Sequence, residues 1–169
     1  MNIALIGFMG AGKTTVSRAL STRLQAEEID TDQWIVEQEG RSIAEIFEAE
    51  GEAAFRDIET EAVEKLASGD GRIISCGGGV AMRARNVEAL KAGGVVVLLT
   101  ARPETVFERV RHGESRPVLN GNMNVPYIAQ LMEKRRPAYE AAADITVATD
   151  GKTVEEIADE IVAAVAERS

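Results

Sequence analysis

Residues 7–14 read GFMGAGKT. A glycine, four residues and then Gly12-Lys13-Thr14 fit the phosphate-binding spacing G-x-x-x-x-G-K-[ST]. The spacing has a physical reason. Glycines let successive backbone N–H groups turn inward, and the helix that follows adds the partial positive charge of its N-terminus, so the loop becomes a concave anion site. The flanks agree with the loop. NIALIG at 2–7 is an apolar run ending in glycine, as a strand buried on both faces would be, and 13–25 carries Val16, Leu20 and Leu24 at helical spacing. In this setting Gly10-Ala11-Gly12-Lys13-Thr14-Thr15 is expected to hold a nucleoside triphosphate. Lys13 would reach the β- and γ-phosphates, and the Thr14 hydroxyl would ligate Mg²⁺. The loop leaves the reaction open, because hydrolases, switches and kinases all use it.

The same alternation continues along the chain. A second strand is expected to end at Ile29, followed by helices at about 33–39, 42–49 and 52–67. Arg72 to Ser75 reads as a third strand running into Gly77-Gly78-Gly79. A helix at 83–92 leads to a fourth strand at 94–99, and Pro103 opens a further helix as a favourable first-turn residue. The stretch HGESRPVLNGNMNVP at 112–126 has no amphipathic period and reads as a mobile loop. A helix at 126–142, a fifth strand at 144–148 and a helix at 153–167 follow. Strands alternating with helices imply an α/β fold of three layers, α/β/α, around a five-stranded parallel sheet. With no repeat or linker in sight, 1–169 is expected to be one domain.

Composition narrows the partners. A net charge of −9 argues against a nucleic-acid binder, whose affinity rests on neutralising phosphates with Lys and Arg. At 4% aromatic residues, a base-stacking platform is also disfavoured. Cys76 is the only cysteine, so the chain has no internal disulfide and fits a reducing compartment. Val95 to Leu99 is too short an apolar run to cross a membrane. A cytoplasmic monomer without a leader is expected.

Several residues outside the loop carry chemistry. Asp30-Thr31-Asp32 follows the second strand, at the end where parallel sheets bind ligands. The two carboxylates suit a split role, one toward a metal and one toward a hydroxyl acceptor; the alternative is that they cap the next helix. Three glycines at 77–79 serve close approach or unusual dihedrals. Arg56 and Glu59 share a helix face at i,i+3, either as a surface ion pair or with Glu59 holding the guanidinium flat for an incoming carboxylate. Cys76 reads as a small buried hydrophobe and His112 as an exposed loop residue.

Together these pieces resemble one family, the shikimate kinases, within the P-loop nucleoside-monophosphate-kinase-like group. The resemblance runs through GFMGAGKTT (7–15), DTD (30–32), SIAEIF (42–47), GEAAFRDIE (51–59), GGG (77–79), RPVL (116–119) and RRPAY (135–139). It implies transfer of the γ-phosphoryl group of ATP, with Mg²⁺, to the 3-hydroxyl of shikimate. Asp30 then corresponds to the carboxylate holding Mg²⁺ through water, and Asp32 to the one that orients the acceptor hydroxyl. Arg56 and Arg135 correspond to the pair gripping the substrate carboxylate, with Glu59 behind Arg56. Of the doubled arginine, Arg135 matches, because the family pattern leaves one residue before the proline. Gly78 and Gly79 would contact substrate through their backbone, while Phe47 and Phe55 would shape its pocket. Arg116 matches a lid arginine closing over the phosphates, and Arg109 an arginine packing on adenine. The implied substrate-binding segment is about 31–60 and the lid about 112–124.

Three rival readings remain. A gluconate-type kinase of the same fold is disfavoured by DTD with FRxxE and GGG. A GTP-dependent switch lacks its guanine-reading NKxD motif anywhere in the chain. A catalytically silent nucleotide-binding module would be expected to lose Asp32 or Arg116, and both are present.

Overall fold

The computed structural model describes residues 1–110 and 124–168. His112, Arg116, RPVL at 116–119 and all but the last residue of the expected 112–124 lid therefore lie outside the described residues. In chain order the elements are β1 (Asn2–Ile6), α1 (Lys13–Leu24), β2 (Glu27–Asp30), α2 (Thr31–Glu39), α3 (Ile43–Glu50), α4 (Glu52–Ala67), β3 (Arg72–Ser75), α5 (Ala84–Gly93), β4 (Gly94–Thr100), α6 (Pro103–Val110), α7 (Val125–Ala142), β5 (Ile145–Ala148) and α8 (Val154–Arg168). The five strands form one sheet in the order β2-β3-β1-β4-β5, and every pairing is parallel.

Strand periodicity explains why the sheet is buried on both sides. Alternate side chains leave a strand on opposite faces. Ala4, Ile6, Ile74, Val96 and Leu98 pack on one face against Val63, Leu66, Leu90, Ile128 and Tyr139 of α4, α5 and α7. Ile3, Leu5, Ile73, Val95, Val97 and Leu99 take the other face, against Val16 and Leu20 of α1 and Ile157 and Ile161 of α8. This is the expected three-layer α/β/α arrangement with a five-stranded parallel sheet. A smaller core of Ile35, Ile46, Phe55 and Ala62 ties α2 and α3 to α4 beside the sheet. α2, α3 and the first half of α4 occupy the stretch 31–60, where a substrate-binding segment was expected.

Most boundaries fall within one residue of expectation, and two differences have a local cause. β2 runs on to Asp30 and α2 begins at Thr31, because the Asp30 side chain accepts from the Gln33 N–H at 3.0 Å and caps the helix. A 3₁₀ turn at Val80–Met82, too short for any periodicity, intervenes before α5. Among the described residues no helix is long and apolar enough to cross a membrane.

Leu5 is fully buried in the central strand. Leu5→Ala should therefore cost about 2–5 kcal/mol of unfolding free energy. Urea denaturation checks this, and a much smaller cost would place β1 at the edge of the sheet.

Candidate active site

The carboxyl ends of β1, β2 and β3 open onto a cleft of about 490 Å³. Gly10, Gly12, Lys13, Thr14, Thr15, Asp30, Asp32, Arg56, Gly78, Gly79, Arg109 and Arg135 all line it. Residues from six separate stretches of sequence thus meet at the end of the sheet where parallel strands present ligands. Ala11 is the exception among the described candidates. Its side chain is buried beneath the loop and its N–H donates to the Phe8 carbonyl at 3.1 Å, so it braces the loop from within.

On one side lies the phosphate loop. Gly10 and Gly12 have φ of +79° and +93°, a region that strains any residue with a side chain. Gly12 is the N-cap of α1 and no side chain caps that helix, so its first amides face the cleft. Lys13 Nζ donates to the carbonyls of Gly7 at 2.7 Å and Phe8 at 3.1 Å, which fixes the ammonium at the loop's rim. Arg109 Nη1 donates to Gly10 O at 2.8 Å and to Thr149 Oγ1 at 3.3 Å. It thereby ties the loop to the end of β5.

On the other side lie the glycines at 77–79, and here close approach decides between the two explanations. None of the three has positive φ. A Cβ on Gly77 would stand 2.7 Å from Asp32 Oδ1, one on Gly78 3.2 Å from Arg135 Nη1, and one on Gly79 2.6 Å from Arg56 Cζ. Each glycine therefore makes room for a different charged side chain. The strip is also pinned from outside. The Gly77 N–H donates to Thr31 Oγ1 at 2.9 Å, and the Tyr139 hydroxyl donates to Gly78 O at 2.7 Å. Arg135 lies over the Phe8 ring at 5.7 Å and Arg56 over Phe55 at 5.3 Å, while Phe47 and Phe55 meet edge to face at 5.0 Å.

Arg56 donates through Nη1 to Glu59 Oε1 at 2.9 Å and through Nη2 to Glu52 Oε2 at 3.3 Å. The Glu59 side chain is only 2% exposed, so this is no surface ion pair. Burial pushes the Glu59 carboxyl up from its ordinary value; the charge and hydrogen bond of Arg56 oppose that, and Asp32 adds to it. Burial alone would lower the Arg56 pKa, but its two carboxylate partners raise it, so the guanidinium stays charged. Burial likewise raises the Tyr139 phenol, which remains a donor to Gly78. It raises the Cys76 thiol strongly, which leaves an inert hydrophobe as expected.

A metal here would have few protein ligands. Thr14 and Asp30 line the cleft, and one Asp30 oxygen already caps α2. Among the described residues there is no group of three or more His, Cys, Asp or Glu able to hold an ion. A hydroxyl and one carboxylate, with water and phosphate oxygens completing the shell, match the way Mg²⁺ is bound beside nucleotides.

Three contributors had not been anticipated. Thr31 and Tyr139 hold backbone atoms of the glycine strip, a pairing that no spacing announces. Tyr139 does stand at i,i+4 from Arg135, which was a signal that both could face one site. Glu52 stands at the same interval from Arg56.

Comparison with known proteins gives a consistent picture. A family model described as "Shikimate kinase" matches residues 9–166. A shikimate kinase of Symbiobacterium thermophilum is 42% identical over 171 residues, covering 99% of this chain and 98% of that protein. One of Moorella thermoacetica is 45% identical over 160 residues, covering 95% and 91%. The structure of a shikimate kinase from Acinetobacter baumannii in complex with shikimate superposes with a TM-score of 0.93 at 35% identity, covering 99% of this chain and 94% of that one. A gluconokinase from Sinorhizobium meliloti, at 16% identity and a TM-score of 0.63, shares the fold.

The buried Glu59 yields a pH test. A carboxyl whose pKa is raised on folding contributes most below its unfolded pKa, and that contribution is lost as pH rises through the folded value. Glu59→Gln removes this dependence. Urea unfolding of both proteins between pH 4 and pH 8 should show wild type losing stability relative to the Gln variant as pH rises. The opposite trend would mean that pairing with Arg56 outweighs burial.

Proposed function

The chain belongs to the shikimate kinase family, and on that premise we propose that its cleft transfers the γ-phosphoryl group of ATP to the 3-hydroxyl of shikimate. The products are 3-phosphoshikimate and ADP, a step of the pathway to chorismate and the aromatic amino acids. One observation carries this reading. A single cleft has a phosphate loop on one side and, on the other, two arginines and Asp32 seated against a glycine strip.

Phosphoryl transfer through a loose transition state needs positioning and charge neutralisation more than covalent help. Lys13, fixed at the loop's rim, is the cation for the transferring group. Arg116, on the segment between α6 and α7, is proposed on the family resemblance to add a second charge there. Arg109 holds the nucleotide end of the cleft. Arg56 and Arg135 take the carboxylate of shikimate, and the ring lies against Gly78 and Gly79 with Phe47 and Phe55 beside it. Asp32 accepts from the ring hydroxyls and aims the attacking oxygen. A strong general base is not required. Thr14 and Asp30 would hold Mg²⁺, which when bound neutralises charge on the phosphate oxygens. With one cysteine and so no internal disulfide, the chain fits a reducing compartment such as the cytoplasm.

A coupled assay tests the reading directly: ADP release should depend on shikimate, and ATP turnover indifferent to shikimate would overturn it. Lys13→Ala should retain the fold and lower kcat by about 10²–10³, since it removes a cation that acts on the developing charge. A folded variant with near wild-type kcat would put the loop's assignment in error.

Arg56→Lys and Arg135→Ala should each weaken shikimate binding by roughly tenfold or more, because a charge-assisted bond in a desolvated site contributes about 1.5–3 kcal/mol. Lysine is a poor replacement, since a point charge cannot copy a bidentate grip. ADP affinity should barely change. Calorimetric titration of both ligands decides the matter, and equal losses for both would move these arginines out of the acceptor site.

A further inference from the structure

We propose that Glu52 is an internal competitor for the acceptor's carboxylate, occupying one edge of the Arg56 guanidinium until shikimate displaces it. The inference rests on the reading of Arg56 as a carboxylate-binding residue.

The guanidinium has three neighbours that do not yield easily. Its Nη1 is held by Glu59, whose side chain is 2% exposed and has no solvent to swing into. Its central carbon lies 2.6 Å from where a Gly79 Cβ would stand, and the Phe55 ring lies on one face at 5.3 Å. That leaves the Nη2 edge, where Glu52 accepts at 3.3 Å. The Glu52 side chain is 71% exposed and belongs to the first turn of α4, so rotating it into water is cheap. Both Glu52 and Arg56 line the cleft.

The consequence is selectivity. Two carboxylates beside one guanidinium already offset its positive charge, so a bare small anion gains little by arriving. Shikimate brings its carboxylate together with hydroxyls for Asp32 and a ring for the glycine strip, and the summed contacts evict Glu52. An exposed ion pair is weak, so its removal should tighten shikimate binding by only about two- to fivefold. The effect should shrink as salt screens it. The competing explanation is that Glu52 is merely an i,i+4 brace for α4, in which case its loss lowers the melting temperature and tightens nothing.

The test is Glu52→Gln in the full chain at low ionic strength, by calorimetry and steady-state kinetics. The shikimate dissociation constant should fall about two- to fivefold, with KM falling by more than kcat changes. Acetate, a carboxylate without a ring, should become a better competitor of shikimate by a similar factor. ADP affinity should stay within twofold, and 0.5 M salt should erase the difference. Shikimate binding that is unchanged or weaker in the variant overturns the proposal, as does equal tightening of ADP, which would report a general field. Arg56→Lys, measured alongside, separates the two levels. If it weakens shikimate while Glu52→Gln tightens nothing, only the role of Glu52 falls. If Arg56→Lys leaves shikimate binding intact, the carboxylate reading falls with it.

Discussion

No side chain can stand at residues 77 to 79 without displacing part of the cleft's charged lining. The end of β3 runs so close to α2, α4 and α7 that a Cβ on Gly77 or Gly79 would overlap Asp32 or Arg56, and one on Gly78 would press on Arg135. The atoms met are ends of side chains, not backbone, so a substitution there would leave the fold standing and misplace the chemistry. The rest of the site depends on this strip. Thr31 and Tyr139 hold it from two directions, and Glu59 fixes the arginine that lies against it. On the function proposed above, an acceptor ring lying on Gly78 and Gly79 would meet its carboxylate grip and its hydroxyl partner without either having to search.

The cleft divides electrostatic labour between its two ends. At the phosphate loop the field comes largely from backbone, namely inward N–H groups and the start of α1, with Lys13 tethered to two carbonyls. Backbone dipoles cannot reorient, so they favour negative charge at little reorganisation cost. At the acceptor end the field comes from side chains whose charge is balanced locally, Arg56 by Glu59 and Glu52. A balanced corner selects by shape and by number of contacts, which suits a small acid that must be told from other anions. The chain's overall acidity is consistent with arginines reserved for this purpose.

Much of this was legible in the sequence, for identifiable physical reasons. Strands buried on both faces write themselves as apolar runs, and β1, β3 and β4 are such runs ending in glycine or small polar residues. The phosphate loop is legible because its conformation demands glycine at fixed spacing. Strand order was not legible, since β3 inserts between β2 and β1 through packing of helices that are distant in sequence. Asp30 shows why two explanations need not exclude each other: it caps α2 and lines the cleft. The glycine strip could be read as turn geometry or as close approach until the neighbours of each missing Cβ were known. Thr31, Tyr139 and Glu52 were hidden for a similar reason. Their partners lie on other elements or one helical turn away, and local pattern does not rank such contacts.

The central claim is that close packing at the glycine strip, rather than any one hydrogen bond, sets the acceptor site. Gly79→Ala tests it most directly, with shikimate and ADP titrated calorimetrically into the same folded protein. The account predicts an unchanged melting temperature, ADP binding within twofold of wild type and shikimate binding weakened by roughly tenfold, as expected when one charge-assisted contact is misplaced. Shikimate affinity equal to that of wild type would contradict it, because Arg56 would then have tolerated a methyl group in the space it fills.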